Sequence, residues 1–208
     1  MTTTPRTRLS PEQRREQLLE LGVRLLATRS LDELSIDLLA EEAGISRGLL
    51  YHYFGNKHAF HEAVVRRAAD DLIAQTAPPA EGDPLERLQV SLAAYVDYVL
   101  ANFEGYVSLL KGAAGGNEAL RAIYDEVRSV LSERIFTEQN LSGDPDGQLL
   151  ADTPHNRLVV RGWSAMTEEL VIAWGTDPAG VTKDELLEIV AGSLPALVAV
   201  GAQGSASA

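Results

Sequence analysis

Arg47, Gly48, Tyr51, His52 and Tyr53 fall within residues 47–53. Together they offer a guanidinium, two phenols, an imidazole and one bare stretch of backbone. None of them stands in a pattern that catalysis needs. The four histidines, His52, His58, His61 and His155, belong to no Ser elbow, HExxH pair or carboxylate dyad. Cysteine is absent, which excludes a disulfide framework, a zinc-thiolate centre and a Cys nucleophile. His58, His61 and Glu62 share a helix face at metal-ligand spacing, yet a structural or phosphate-facing His is the simpler account. The chemistry that fits residues 47–53 is recognition. Arg can pair with the edge of a guanine, and polar-tipped rings can reach neighbouring bases or phosphates. The expectation is no enzyme, no metal and no cofactor, with double-stranded DNA as partner.

Those residues need a helix that presents them, and the stretch 35–57 supplies it. Ser35 is an N-cap, and Ile36, Leu39, Ala40 and Ala43 repeat at helical spacing. Gly44 follows, where a sharp turn needs a residue tolerant of positive φ. Ile45 plugs the corner, and Ser46 caps a second helix over 47–53. This is a helix-turn-helix pattern, whose second helix can enter a major groove with its first residues on base edges. Arg47, Tyr51 and His52 are assigned to the groove. Ser35, Ser46, Tyr53 and Lys57 are assigned to phosphates. A corner of this kind buried in an ordinary helical core carries Glu, Lys and Ala outward rather than this set.

Over residues 9–66 the chain resembles the DNA-binding domain of the TetR family of bacterial transcriptional repressors. The resemblance is carried by Ser35, Leu39-Ala40, Ala43-Gly44-Ile45-Ser46, Arg47, Gly48, Leu50-Tyr51, Tyr53-Phe54 and Lys57. Leu49 departs from it, standing where the family often has a short polar residue. The resemblance implies a one-component regulator of the repressor type. It would sit as a dimer on a pseudo-palindromic operator and leave when a small molecule binds its body. The rival classes are a helical hydrolase and a protein-binding adaptor.

The remaining elements frame this module. The chain has 208 residues and a net charge of −12. Residues 1–67 are close to neutral, with ten basic and nine acidic side chains. Residues 68–208 carry eight basic and twenty-one acidic ones, so the body is repelled from phosphate. Residues 1–9 read as a disordered basic arm and 10–67 as the DNA-binding head. A ligand-binding and dimerisation body follows over 68–200, and a disordered tail over 201–208. About nine helices are expected, all-α, with a fourth over 57–74 and later ones over 84–102, 105–111, 117–139, 154–174 and 183–200. Gly112, Gly115 and Gly116 read as a flexible connector. The apolar surplus of the last two helices predicts a homodimer through them, disrupted by Val190→Arg or Leu194→Arg. Tyr95, Tyr106, Leu109, Leu110, Tyr124, Val127, Trp163 and Met166 are expected to converge on a hydrophobic or aromatic effector. Arg121, Arg128 and Arg161 are the candidate partners of an acid group. No apolar run is long enough to span a membrane and no leader peptide is evident, so a cytoplasmic location is expected.

Overall fold

The computed structural model describes residues 10–137 and 150–205. These form nine α-helices and no strand. The arm 1–9, the segment 138–149 and residues 206–208 lie outside the described residues. So does the end of the 117–139 helix as the sequence sets it.

The head is α1 (Pro11–Leu26), α2 (Ile36–Ala43) and α3 (Arg47–Phe54). Ser10 starts α1 with a capping box. Its hydroxyl accepts from Gln13 N at 3.1 Å, and the Gln13 side chain accepts from Ser10 N at 2.9 Å. Ser35 and Ser46 cap α2 and α3 through Leu38 N and Leu49 N. Gly44, at φ 63 and ψ 36, makes the left-handed turn between them. Helix α4 (Lys57–Gln75) leaves the head and enters the body. Gly22 lets α1 and α4 touch, because a Cβ there would meet Val64 Cγ2 at 2.6 Å.

The body comprises α5 (Pro84–Ala101), α6 (Phe103–Ala114), α7 (Glu118–Thr137), α8 (Pro154–Thr176) and α9 (Lys183–Ser205). Two expectations change here. Of the expected glycine connector only Gly115 and Gly116 join α6 to α7, since α6 runs to Ala114 and takes in Gly112. Gly112 serves close packing instead, for a Cβ on it would lie 2.6 Å from Leu120 Cδ1 of α7. Helix α9 continues to Ser205, beyond the end expected near residue 200, and takes in Pro195.

The apolar core forms two connected regions. The first begins in the head with Leu18, Leu34, Leu39, Leu50 and Phe60. It runs without a break into Tyr98 of α5 and Leu120, Ile123 and Val127 of α7. The second is built by α5, α8 and α9 around Val99, Val160, Val171, Val190 and Leu194. Head and body also share polar ties. The Ser108 hydroxyl of α6 accepts from Leu31 N at 2.9 Å. The Tyr98 hydroxyl donates to Ala68 O at 2.6 Å, and Arg66 pairs with Glu126 across α4 and α7.

Candidate functional site

The face of α3 that carries the candidate contacts is solvent-exposed and nearly free of internal obligations. Tyr51 is 49% exposed, His52 is exposed, and His52 packs edge-on against Tyr53. Tyr53 itself is half-buried against the head core. Leu49 also faces outward, 36% exposed. Arg47 forms an ion pair with Asp37 on α2, so in the unbound protein its guanidinium is already aimed along the surface. Lys57 Nζ rests 3.5 Å from Asp32 O at the start of α4. Gly48 is informative by default. A Cβ there would find only Ser46 Oγ, at 3.9 Å. Its φ is not positive, so nothing within the chain requires glycine at a position where it costs about 1 kcal/mol of helix propensity.

His61 is structural. Its Nε2 lies 2.6 Å from Leu34 O, and burial pushes the imidazole below its ordinary range. A carbonyl only accepts, so Nε2 carries the proton. Among the described residues no group of His, Asp and Glu is arranged to hold a metal ion.

Inside the body lies a cavity of about 150 Å³. Its walls come from both halves of the molecule: Val23 and Leu26 of α1, Val65 and Leu72 of α4, and side chains of α5 to α8. Tyr95, Tyr106, Leu109, Tyr124, Val127 and Trp163 line it. Leu110 and Met166 do not. Leu110 is next to Leu109 on a helix, so it is turned by about 100° to an outer cleft between α6, α7 and α8. Met166 packs instead into the α5–α8–α9 core. At one end of the cavity the polar groups form a chain. The Tyr95 and Tyr106 hydroxyls are 2.9 Å apart. Tyr106 donates to Glu168 Oε1 at 2.6 Å, and Tyr124 donates to Oε2 at 2.7 Å. Arg128 Nη1 donates to the Tyr124 hydroxyl at 2.9 Å. Trp163 Nε1 donates to Val190 O at 3.0 Å, which fixes the indole in the wall.

Residues 18–64 match the family described as bacterial regulatory proteins, tetR family. Residues 84–193, more than half the chain, match the tetracyclin repressor-like C-terminal domain. The chain belongs to the TetR family.

Among solved structures, a tetR-family transcriptional regulator from Streptomyces coelicolor is 33% identical, with a TM-score of 0.81. The match covers 94% of this chain and 84% of that one. A FadR regulator from Bacillus subtilis, in complex with stearoyl-CoA, is 18% identical with a TM-score of 0.61. It covers 88% of this chain and 97% of that one, and shares the fold. Among curated proteins, the HTH-type transcriptional activator FasR of Mycolicibacterium smegmatis is 30% identical over 101 residues. That match covers 48% of this chain and 46% of FasR, so the chain spans about half the length of the curated relatives it matches.

Within this TetR-family body, one charged residue went unnoticed in sequence. Glu168 sits beside Glu169 in an amphipathic helix and reads there as part of a solvated face. Only the fold brings Tyr106 and Tyr124 to it, from 62 and 44 residues away. Of the three candidate acid partners, Arg128 alone lines the cavity. Arg121 donates to Ala113 O at 2.9 Å and lines the outer cleft, while Arg161 is exposed. Val190 and Leu194 are corrected as well. They are 1% and 0% exposed, buried within the subunit, and offer nothing to a partner chain.

Proposed function

We propose that the chain is a ligand-responsive transcriptional repressor. It binds a pseudo-palindromic operator as a homodimer in the cytoplasm and is released by a small, largely apolar effector. The observation that carries this reading is the shared wall of the cavity. Leu26 and Leu72, from helices that also build the head core, line the same space as Tyr95, Leu109 and Trp163. A molecule that fills the space and spreads its walls changes the setting of α1 and α4, and with it the spacing of two recognition helices. A two-fold dimer reads half-sites about one duplex turn apart, ~34–36 Å, so a small tilt of α4 breaks the fit. To take operator occupancy from 99:1 to 1:99 the effector must prefer the released shape by about 5.5 kcal/mol.

The assignment of DNA contacts rests on exposure and on Gly48. Arg47, Tyr51 and His52 face solvent, Ser35 and Ser46 stand at helix N-termini, and Lys57 opens α4. The unforced glycine among them supports the reading that a duplex comes close there. The dimer is proposed through α8 and α9, on side chains other than those expected from sequence. Leu158 is 70% exposed, Ile189 53%, Leu197 42% and Val200 73%. Such apolar surface, on the helices next to the core, suits a partner of the same kind. The deciding experiment selects bound duplexes from a random pool, then screens compounds for release in a gel shift. Recovery of no common duplex, or of one lacking two-fold symmetry, would refute the operator reading.

A further inference from the structure

Glu168 is where the internal cavity meets the outer cleft. It and Tyr124 line both. The direction of the hydrogen bonds around it can be worked out, because each phenol has a single hydrogen to give. Tyr106 gives its hydrogen to Glu168 Oε1 and Tyr124 gives its own to Oε2. Tyr106 must therefore accept from Tyr95, which spends the hydrogen of Tyr95. Tyr124 accepts from Arg128. Burial pushes all three phenols above their ordinary range, so each keeps its hydrogen at neutral pH. All three of these phenol hydrogens are thus spent within the network, and the net direction is toward Glu168. What the phenols and the carboxylate leave for a ligand is a Tyr95 oxygen, the remaining lone pairs of Glu168, and aromatic rings. These are acceptors, and they suit a positive group.

We propose that the effector carries an organic cation, such as a protonated amine, held by Glu168 among Tyr95, Tyr106, Tyr124 and Trp163. This rests on the reading of the cavity as the effector site. The opposite polarity, an acid on Arg128, is poorly served. Arg128 uses Nη1 on Tyr124 and Nη2 on Arg161 O at 3.3 Å, and its guanidinium lies over the Tyr124 ring. An acid reaching it would come up against the Glu168 carboxylate. Arg134, the other arginine of the lining, bonds Thr76 Oγ1. It is six residues further along α7 than Arg128, about 9 Å by helical rise. The outer cleft repeats the bias, with Asp125, Glu168 and Glu169 against Arg121 alone. A second independent feature lies beyond the carboxylate. Thr167 Oγ1 is buried in the cavity wall and has no hydrogen-bond partner among the described residues. Buried hydroxyls are seldom left unpaired, and this one can serve a polar atom on the body of the ligand.

The test uses the full chain and three probes of one skeleton: 4-phenylbutylamine, 4-phenylbutanol and 4-phenylbutanoate, each titrated by calorimetry. The amine should bind with one site per chain and about tenfold or more tighter than the alcohol, with the acid weakest. Glu168→Gln keeps the shape and removes the charge. It should bring the amine down to the affinity of the alcohol, and a circular-dichroism melt close to the parent's certifies the fold. If the alcohol or the acid binds best to the unmodified chain, the proposal is overturned while the cavity reading stands. That ordering decides even if Glu168→Gln does not fold. An amine preference that survives Glu168→Gln overturns it as well. Binding of none of the three overturns the cavity reading and the proposal together.

Discussion

Arg47 shows how much a single contact can decide. Its pairing with Asp37 is exposed to solvent, so the bond costs little to give up for a base edge. Arg47→Ala should weaken operator binding by about 1–3 kcal/mol and relax specificity at one base pair. Lys57→Ala should instead weaken all duplexes alike and lower the salt slope by about one. Gel shifts at several salt concentrations separate the two behaviours, and equal binding by Arg47→Ala and the parent would remove Arg47 from the groove. A second residue-scale outcome concerns pH. The folded imidazole of His61 binds its proton below the ordinary value of 6.5, mainly because it is buried. The unfolded chain takes up that proton first as pH falls, so the unfolded state binds more protons and stability drops. Between about pH 7.5 and pH 5.5 the urea midpoint should fall, and His61→Gln should reduce the fall. An unchanged fall would show that other groups carry it.

At the scale of elements, two glycines in helices separate packing from function. A Cβ on Gly105 would lie 2.8 Å from Leu26 O and 2.9 Å from Leu26 Cβ. The obstacle is backbone, which cannot rotate away. Gly105→Ala should therefore force α6 off α1 and cost about 1–3 kcal/mol in a thermal or urea melt. The cavity wall that α6 shares with α1 should loosen with it. Gly48→Ala meets no such obstacle. It should leave stability equal or raise it by up to about 1 kcal/mol, because alanine is the better helix former. Operator affinity should fall nonetheless, since the proposed docking would bring the duplex against the added methyl. Full operator affinity in Gly48→Ala would place that part of α3 away from DNA.

For the whole molecule, the dimer prediction distinguishes core from surface on one helix. Val190 and Leu194 face α5 and α8, whereas Ile189 and Leu197 face solvent. Ile189→Arg and Leu197→Arg should yield folded monomers by sedimentation, with a circular-dichroism melt close to the parent's. Val190→Arg should instead lose the fold, since an unpaired charge would enter a packed core. Monomers in the unmodified protein at micromolar concentration would end the proposal of a dimer through α8 and α9.

The amino-acid sequence by itself determined the local features of this protein. Ser10, Ser35, Ser46 and Asn56 cap helices through bonds that span three residues. Gly44 turns the chain through its own φ, and apolar spacing places Leu39, Leu50 and Phe60 in the core. These effects act within a turn or two of helix, so residue type and spacing are enough to read them. The DNA-reading module is built almost wholly of them, which is why its candidate residues could be named from a single stretch. Only the tertiary structure decided which side of α9 is buried, since that helix is apolar on more than one face and periodicity cannot choose among them. It alone turned Leu109 inward and Leu110 outward, and set Gly112 against Leu120. Above all it brought Tyr106, Tyr124 and Glu168 together from three helices. Their hydrogen bonds close loops of tens of residues, and no local pattern encodes a contact whose partners are that far apart in the chain.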